Sequence, residues 1–82
     1  MLIKNVIRPT LIARNVMRLH GKSIDLIWTN TYKHCRTVKC YGGNAQLDLD
    51  LRNMLSAAGV GGFSIKRTGR GTIVRIPRTE QP

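Results

Sequence analysis

The sequence has little negative charge and few of the motifs that carry catalysis. Only four of its 82 residues are acidic, against 14 lysines and arginines, which gives a net charge of +10. It contains no paired carboxylates, no Gly-x-Ser-x-Gly nucleophile turn and no glycine loop ending in Lys-Ser/Thr. These absences exclude the common hydrolase and nucleotide-hydrolysing classes, so we expect a protein that is not an enzyme.

Long apolar runs are also missing. The longest candidate for a targeting segment, residues 1–19, is interrupted by basic residues at Lys4, Arg8, Arg14 and Arg18. Signal peptides and membrane spans both need a longer uninterrupted apolar stretch. We therefore expect a cytoplasmic protein that makes no contact with a membrane.

Cysteine is scarce, with only Cys35 and Cys40 present. If this segment is a β-strand, their odd separation places the two thiols on opposite faces, which argues against a disulfide and fits a reducing compartment. His34 and His20 do not add the paired spacing of a zinc site. The sequence thus predicts neither a metal nor a cofactor.

What the chain does have is enough apolar residues to fold and an excess of positive charge. Hydrophobic residues make up 41% of the sequence, so residues 1–82 are expected to form one small domain. A domain of this size has a thin stability margin, which dimerisation widens, and we expect a homodimer. The positive charge repels itself, and a bound polyanion relieves that cost.

The first half of the chain predicts a helix followed by two strands. The helix covers residues 10–20, with Ile12, Val16 and Leu19 as its apolar stripe and Gly21 after its end. Strands over residues 23–29 and 36–41 follow, joined by a long polar loop. Trp28 is expected in the core. On the second strand Val38 and Cys40 share one face, whereas Thr37, Lys39 and Tyr41 share the other.

The second half predicts another helix and a hairpin. Asp48 or Asp50 is expected to cap the helix and Gly59 to follow it, with an apolar stripe formed by Leu51, Met54, Leu55 and Ala58. Strands over residues 63–67 and 72–76 flank a two-residue turn at Gly69-Arg70, for which a type II′ geometry is expected. In this register Ile65 faces Val74.

Together these elements predict an α+β domain of order α-β-β-α-β-β, in which two helices pack on one face of antiparallel hairpins. Residues 1–8 are expected to form an arm or an edge strand. Residues 78–82 are expected to form a loose tail.

Three basic clusters are candidates for binding nucleic acid through its phosphate backbone. The last hairpin is the first cluster, because glycines at its turn let phosphates approach its cations. The loop between the first two strands is the second, where tyrosines alternate with basic residues. One side of the first helix is the third. The candidate binding residues are Lys66, Arg67, Arg70 and Arg75 of the hairpin, Lys33, Arg36 and Lys39 of the loop and second strand, and Arg14 and Arg18 of the helix.

Two partial resemblances point in the same direction. The run from Leu51 and Arg52 to Leu55, followed by Phe63-x-Ile65, resembles the AbrB/MazE swapped-hairpin DNA-binding modules, although Asp48 stands where that family usually has proline. The run from Gly42-Gly43 to Val60 resembles HicA-type mRNA-cleaving toxins, without their histidine-rich catalytic stretch. Either resemblance would imply a compact nucleic-acid-binding fold.

The sequence therefore favours a small nucleic-acid-binding regulator of phage or mobile-element type. DNA is slightly favoured over RNA, because a two-stranded ribbon fits a major groove. Two alternatives stay open. One is a protein-interaction module that docks an acidic partner, such as a phage-encoded inhibitor or a virion assembly protein. The other is a small RNase toxin in which His34 supplies acid–base chemistry.

Overall fold

The computed structural model describes residues 8–78. Two helices and four strands form in the predicted order. The elements are α1 (Pro9–Leu19), a 3-10 turn (Ile24–Leu26), β1 (Ile27–Thr31), β2 (Cys35–Tyr41), α2 (Ala45–Ala57), β3 (Ser64–Arg67) and β4 (Gly71–Pro77). The strands make one antiparallel sheet of order β1-β2-β4-β3. The predicted α+β class, with both helices on one face of the sheet, is confirmed.

The predicted arm over residues 1–8 lies outside the described residues apart from Arg8, and the predicted tail over residues 78–82 does so apart from Arg78. Arg8 is the extended residue that precedes α1. Arg78 is hydrogen-bonded to the turn between β1 and β2, because its backbone N–H donates to the carbonyl of His34 at 2.9 Å.

α1 begins with Pro9 in its first turn and is followed by Gly21, which has a φ of 86°. The core contacts come from Ile12, Ala13, Val16 and Met17. Leu19, which the sequence placed in the apolar stripe, is 84% exposed. It lies roughly 90° around the helix from the middle of the buried stripe, at 3.6 residues per turn.

β1 begins four residues later than predicted. The hydroxyl of Ser23 accepts a hydrogen bond from the backbone N–H of Asp25, and the chain turns through a 3-10 helix before it extends. This turn shifts the strand alternation, so that Ile27 enters the core and Trp28 does not. The predicted long loop is also wrong, because Tyr32 donates its N–H to the carbonyl of Cys35 at 2.8 Å and leaves only a two-residue turn.

α2 begins one turn before the predicted caps, because Asn44 is the capping residue. Its side-chain oxygen accepts the backbone N–H of Leu47 at 2.9 Å. Leu47, Leu51 and Leu55 are buried at successive i+4 positions. Met54 is 50% exposed and Ala58 is also exposed, so the predicted stripe is wrong at those two positions. Gly59 follows the helix as predicted, with a φ of 80°.

The hairpin of β3 and β4 has the predicted register, with Ile65 opposite Val74. Its turn differs from the prediction, because the φ of Gly69 is not positive and the turn is therefore not type II′. Instead the hydroxyl of Thr68 accepts the backbone N–H groups of Arg70 and Gly71, each at 3.2 Å. A threonine side chain thus closes this turn without the left-handed backbone that a type II′ turn requires.

The core lies between the helices and one face of the sheet. Ile27, Val38, Cys40, Val74 and Ile76 pack there against the apolar residues of α1 and α2. Within residues 8–78 no other element covers the opposite face of the sheet, and no helix there is long and apolar enough to cross a membrane.

Candidate nucleic-acid interface

The uncovered face of the sheet carries the side chains that alternate with the core residues. Strand register places Trp28, Lys39, Ile73 and Lys66 in one row across all four strands. We call this surface the open face. It comprises Trp28 and Asn30 of β1, Cys35, Thr37, Lys39 and Tyr41 of β2, Ser64 and Lys66 of β3, and Gly71, Ile73, Arg75 and Pro77 of β4.

One end of the open face contains a pocket of about 340 Å³, which we call the Trp28 pocket. Trp28, Asn30, Lys39 and Tyr41 line it from β1 and β2, and Arg70 lines it from the β3–β4 turn. The pocket therefore combines aromatic rings, an amide and two cations. Its volume lies near the lower end of the range of small-molecule sites.

The two aromatic rings of this pocket contact each other edge to face. Their centroids are 4.8 Å apart and their planes lie at 84°. Tyr41 is 52% exposed, whereas Trp28 is half-buried. A flat base can stack in parallel on only one of two perpendicular rings, and Tyr41 is the more accessible. The edge contact from Trp28 holds the Tyr41 ring in place.

The other end of the open face contains a second, shallower pocket of about 460 Å³, which we call the Tyr32 pocket. Tyr32, Lys33 and His34 line it from the β1–β2 turn, and Thr37 and Arg75 line it from the sheet. Tyr32 is 53% exposed. Each end of the open face thus presents an accessible tyrosine ring beside at least one cation.

The electrostatics of this face are one-sided. Lys39, Lys66, Arg70 and Arg75 are all exposed on it or at its edge. Of the acidic residues that the structure describes, Asp48 and Asp50 belong to α2 and Asp25 precedes β1, so none lies on the open face. Among residues 8–78, an anion that approaches this surface therefore meets cations and no carboxylate.

Not every candidate binding residue lies on this surface. Arg67 points to the helix side, where its Nε and Nη2 bind Oδ2 of Asp48 at 3.1 and 2.7 Å. Arg36 lies on the same side of β2 as Val38, which faces the helices, and it is half-buried. Arg14 and Arg18 lie on α1. The structure brings together Lys39, Lys66, Arg70 and Arg75 on the open face, with Lys33 at its far end.

Sequence reasoning included Asn30 in the basic loop cluster but missed Trp28 as a site residue, since it placed Trp28 in the core. The signal that could have found it is Ser23-x-Asp25, a local cap that starts a turn and delays the strand. Once the strand starts at Ile27, alternation directs Trp28 and Asn30 outwards.

Two further groups have a shifted pKa, and both lie away from the open face. Cys35 and Cys40 are buried, free and on opposite faces of β2, and burial raises the pKa of the Cys40 thiol. Hydrogen bonds from His20 and Gln46 lower the pKa of Asp50. Between residues 8 and 78, no three side chains of the types that bind metals lie close enough to share an ion.

The chain matches no family model, no curated protein and no solved structure. Neither of the two partial resemblances is therefore supported by a match. A function has to be inferred from the geometry and charge of the described surface.

Proposed function

We propose that this protein binds single-stranded nucleic acid on its open face. The observation that supports the proposal is the exposed Tyr41 ring, fixed by Trp28 in the same pocket as Lys39 and Arg70. Aromatic rings stack on unpaired bases of any sequence, while lysine and arginine neutralise the phosphates between them. An open antiparallel sheet provides a surface on which both contacts are made together.

The topology favours a single strand over the DNA duplex that the sequence slightly favoured. β4 lies between β2 and β3, so the β3–β4 hairpin is part of a four-stranded sheet and not a free ribbon. A two-stranded ribbon fits a major groove, whereas a four-stranded sheet is too wide. Exposed aromatic rings also stack more readily on unpaired bases, because the bases of a duplex must first be unstacked from each other.

The sole tryptophan of the chain makes this proposal directly measurable. Because Trp28 lines the pocket, a base bound there is expected to quench its fluorescence. The titration would use three oligonucleotides, each at 20 mM and 200 mM NaCl: a mixed-sequence 12-mer of single-stranded DNA, the same sequence as RNA, and the matched DNA duplex. We expect both single strands to quench Trp28 and to bind more tightly than the duplex, with affinity that falls steeply with salt.

A matched variant separates this face from general cationic attraction. Lys39→Gln removes a charge from the pocket, whereas Arg52→Gln removes one from the exposed surface of α2. We expect a clear loss of affinity only for the first. If neither single strand quenches Trp28 at 20 mM NaCl, single-strand binding is rejected. If the duplex binds more tightly than both single strands, the protein is assigned to duplex DNA instead.

A further inference from the structure

The two pockets of the open face lie at opposite ends of the same strand. Lys39 and Tyr41 of β2 line the Trp28 pocket, and Cys35 and Thr37 of β2 line the Tyr32 pocket. Thr37 and Lys39 are consecutive on this face, so the two pockets adjoin. An exposed tyrosine stands at each end of the resulting track.

Cations accompany every step of this track. Alternate residues of a strand are roughly 6.6 Å apart, which is close to the distance between successive phosphates of an extended single strand. Arg70 lies beside Tyr41, Lys39 occupies the next step, Arg75 lies opposite Thr37, and Lys33 lines the end pocket. From Tyr41 to Cys35 the track is about 20 Å long, at 3.3 Å per residue.

The backbone at Tyr32 is fixed from both sides. Its N–H donates to the carbonyl of Cys35 at 2.8 Å, and its own carbonyl accepts Nη1 of Arg78 at 3.0 Å. A ring on a fixed backbone loses less entropy when a base stacks on it than a ring on a free loop does. The exposed Tyr32 ring is therefore carried by an ordered backbone at this end of the track.

We propose that the bound strand runs along β2 and that the site accepts about four nucleotides, with one base on Tyr41 and another on Tyr32. This inference rests on the proposed function and adds to it a direction and a length. A path across the sheet is disfavoured, because the row from Trp28 through Ile73 ends at Lys66 and has no aromatic ring there. The path along β2, by contrast, has an exposed tyrosine ring at each end.

The test is the dependence of affinity on oligonucleotide length. Thymidine oligomers of two, three, four, six and eight nucleotides, with uridine oligomers as the RNA arm, would be titrated against the full chain at 20 mM NaCl while Trp28 fluorescence is recorded. We expect affinity to rise steeply up to four nucleotides. Beyond four, it should rise only in proportion to the number of registers in which the strand can bind.

Two tyrosine variants locate the ends of the track. Tyr32→Leu should lower affinity for the tetramer at least tenfold and leave the dimer unchanged, because the dimer binds at Tyr41 and does not reach Tyr32. Tyr41→Leu should lower affinity for every length. Tyr32→Phe keeps the ring, so it should bind like the unsubstituted protein and control for loss of folding.

The outcomes separate this inference from the proposed function. If no length quenches Trp28, single-strand binding itself fails. If oligomers bind but affinity stops rising at two nucleotides, the track along β2 is overturned and the Tyr41 site stands. An unchanged tetramer affinity in Tyr32→Leu would also overturn it. An equal loss of affinity for the dimer and the tetramer in Tyr32→Leu, with normal binding by Tyr32→Phe, would overturn it as well.

Discussion

Lys66 and Arg67 are neighbours in sequence but lie in different electrostatic environments. Lys66 is opposite Ile73 and belongs to the open face, whereas Arg67 binds Asp48 of α2. Strand alternation alone produces this difference, because successive side chains point to opposite faces. The net charge of the sequence therefore overstates the number of cations that a phosphate backbone can contact. A cation that is already paired with a carboxylate contributes less to binding than an unpaired one on the open face.

These two residues give a matched pair of variants. Lys66→Gln should lower the affinity for a single strand and reduce the slope of log K against log salt by about 0.7, since one fewer counterion-releasing contact is made. Arg67→Gln should leave the slope unchanged, because its guanidinium is already paired. Salt titrations of a 12-mer single strand measure both slopes. Equal changes in the two variants would show that net charge and not facial position controls binding.

The residue at which the alternation of a strand starts decides which side chains reach the open face. For this reason the sequence predicted the site only in part. Val38, Lys39 and Cys40 were assigned to the correct faces, because burial alternates strictly from Val38 to Tyr41. Trp28 was assigned wrongly, because Ile24 and Leu26 continue an apparent strand alternation through what is a 3-10 turn. A shift of one residue moves every side chain of a strand to the other face.

At the scale of elements, the segment that leads from β2 into α2 is held against β4 by a hydrogen bond from a side chain to its backbone. The hydroxyl of Thr72, which is fully buried, donates to the carbonyl of Gly42 at 3.1 Å. Gly43 has a φ of 129°, and a Cβ at this position would overlap Oγ1 of Thr72. Glycine at position 43 thus lets the chain pass from β2 into α2 over a buried polar group.

Gly43→Ala is therefore expected to lower the free energy of unfolding by about 2 kcal/mol, through backbone strain and overlap with Thr72. Gly61→Ala is the control, since the φ of Gly61 is not positive and no atom would lie within 4 Å of its Cβ. That variant should be neutral or slightly stabilising. Urea unfolding followed by circular dichroism compares the two. Equal stability of both variants would refute the close contact.

A second connection joins the end of α1 to α2. Nε2 of His20 lies 2.7 Å from Oδ2 of Asp50, and Oδ1 of Asp50 accepts Nε2 of Gln46 at 3.0 Å. These hydrogen bonds lower the pKa of Asp50 below its ordinary value of 3.8. The contribution of this carboxylate to stability is thus present above pH 3.8 and is lost as the pH falls through the lowered value.

Substitution of Asp50 should therefore flatten the acid side of the stability profile. Asp50→Asn is expected to be less stable than the unsubstituted protein at pH 6, and the difference should shrink as the pH falls below 3.8. Urea midpoints measured from pH 6 to pH 2.5 follow both proteins. Asp25→Asn is the control, because Asp25 is exposed and its side chain makes no ion pair with any residue between 8 and 78. A constant difference between Asp50→Asn and the unsubstituted protein at all pH values would contradict this role.

At the scale of the whole molecule, folding brings a net charge of +10 together on a chain of only 82 residues. A bound nucleic acid and a bound acidic protein would both relieve this repulsion, but only a nucleic acid has bases that can stack on an aromatic ring. A ligand at 100 times its dissociation constant stabilises the folded state by about 2.7 kcal/mol. In a domain of this size that raises the unfolding temperature by an amount on the order of 10 °C. Thermal unfolding therefore distinguishes nucleic acid from an acidic protein partner.

An oligonucleotide and a poly-glutamate peptide of equal charge should both raise the unfolding temperature at 20 mM NaCl, with the larger effect from the oligonucleotide. At 300 mM NaCl the effect of the peptide should vanish, because screening removes charge attraction, whereas part of the oligonucleotide's effect should persist through stacking on Tyr41. Tyr41→Leu should lose that persistent part and keep the low-salt response, because its cations are intact. If the peptide stabilises as much as the oligonucleotide at both salt concentrations, the open face recognises charge alone, and an acidic protein becomes the better partner.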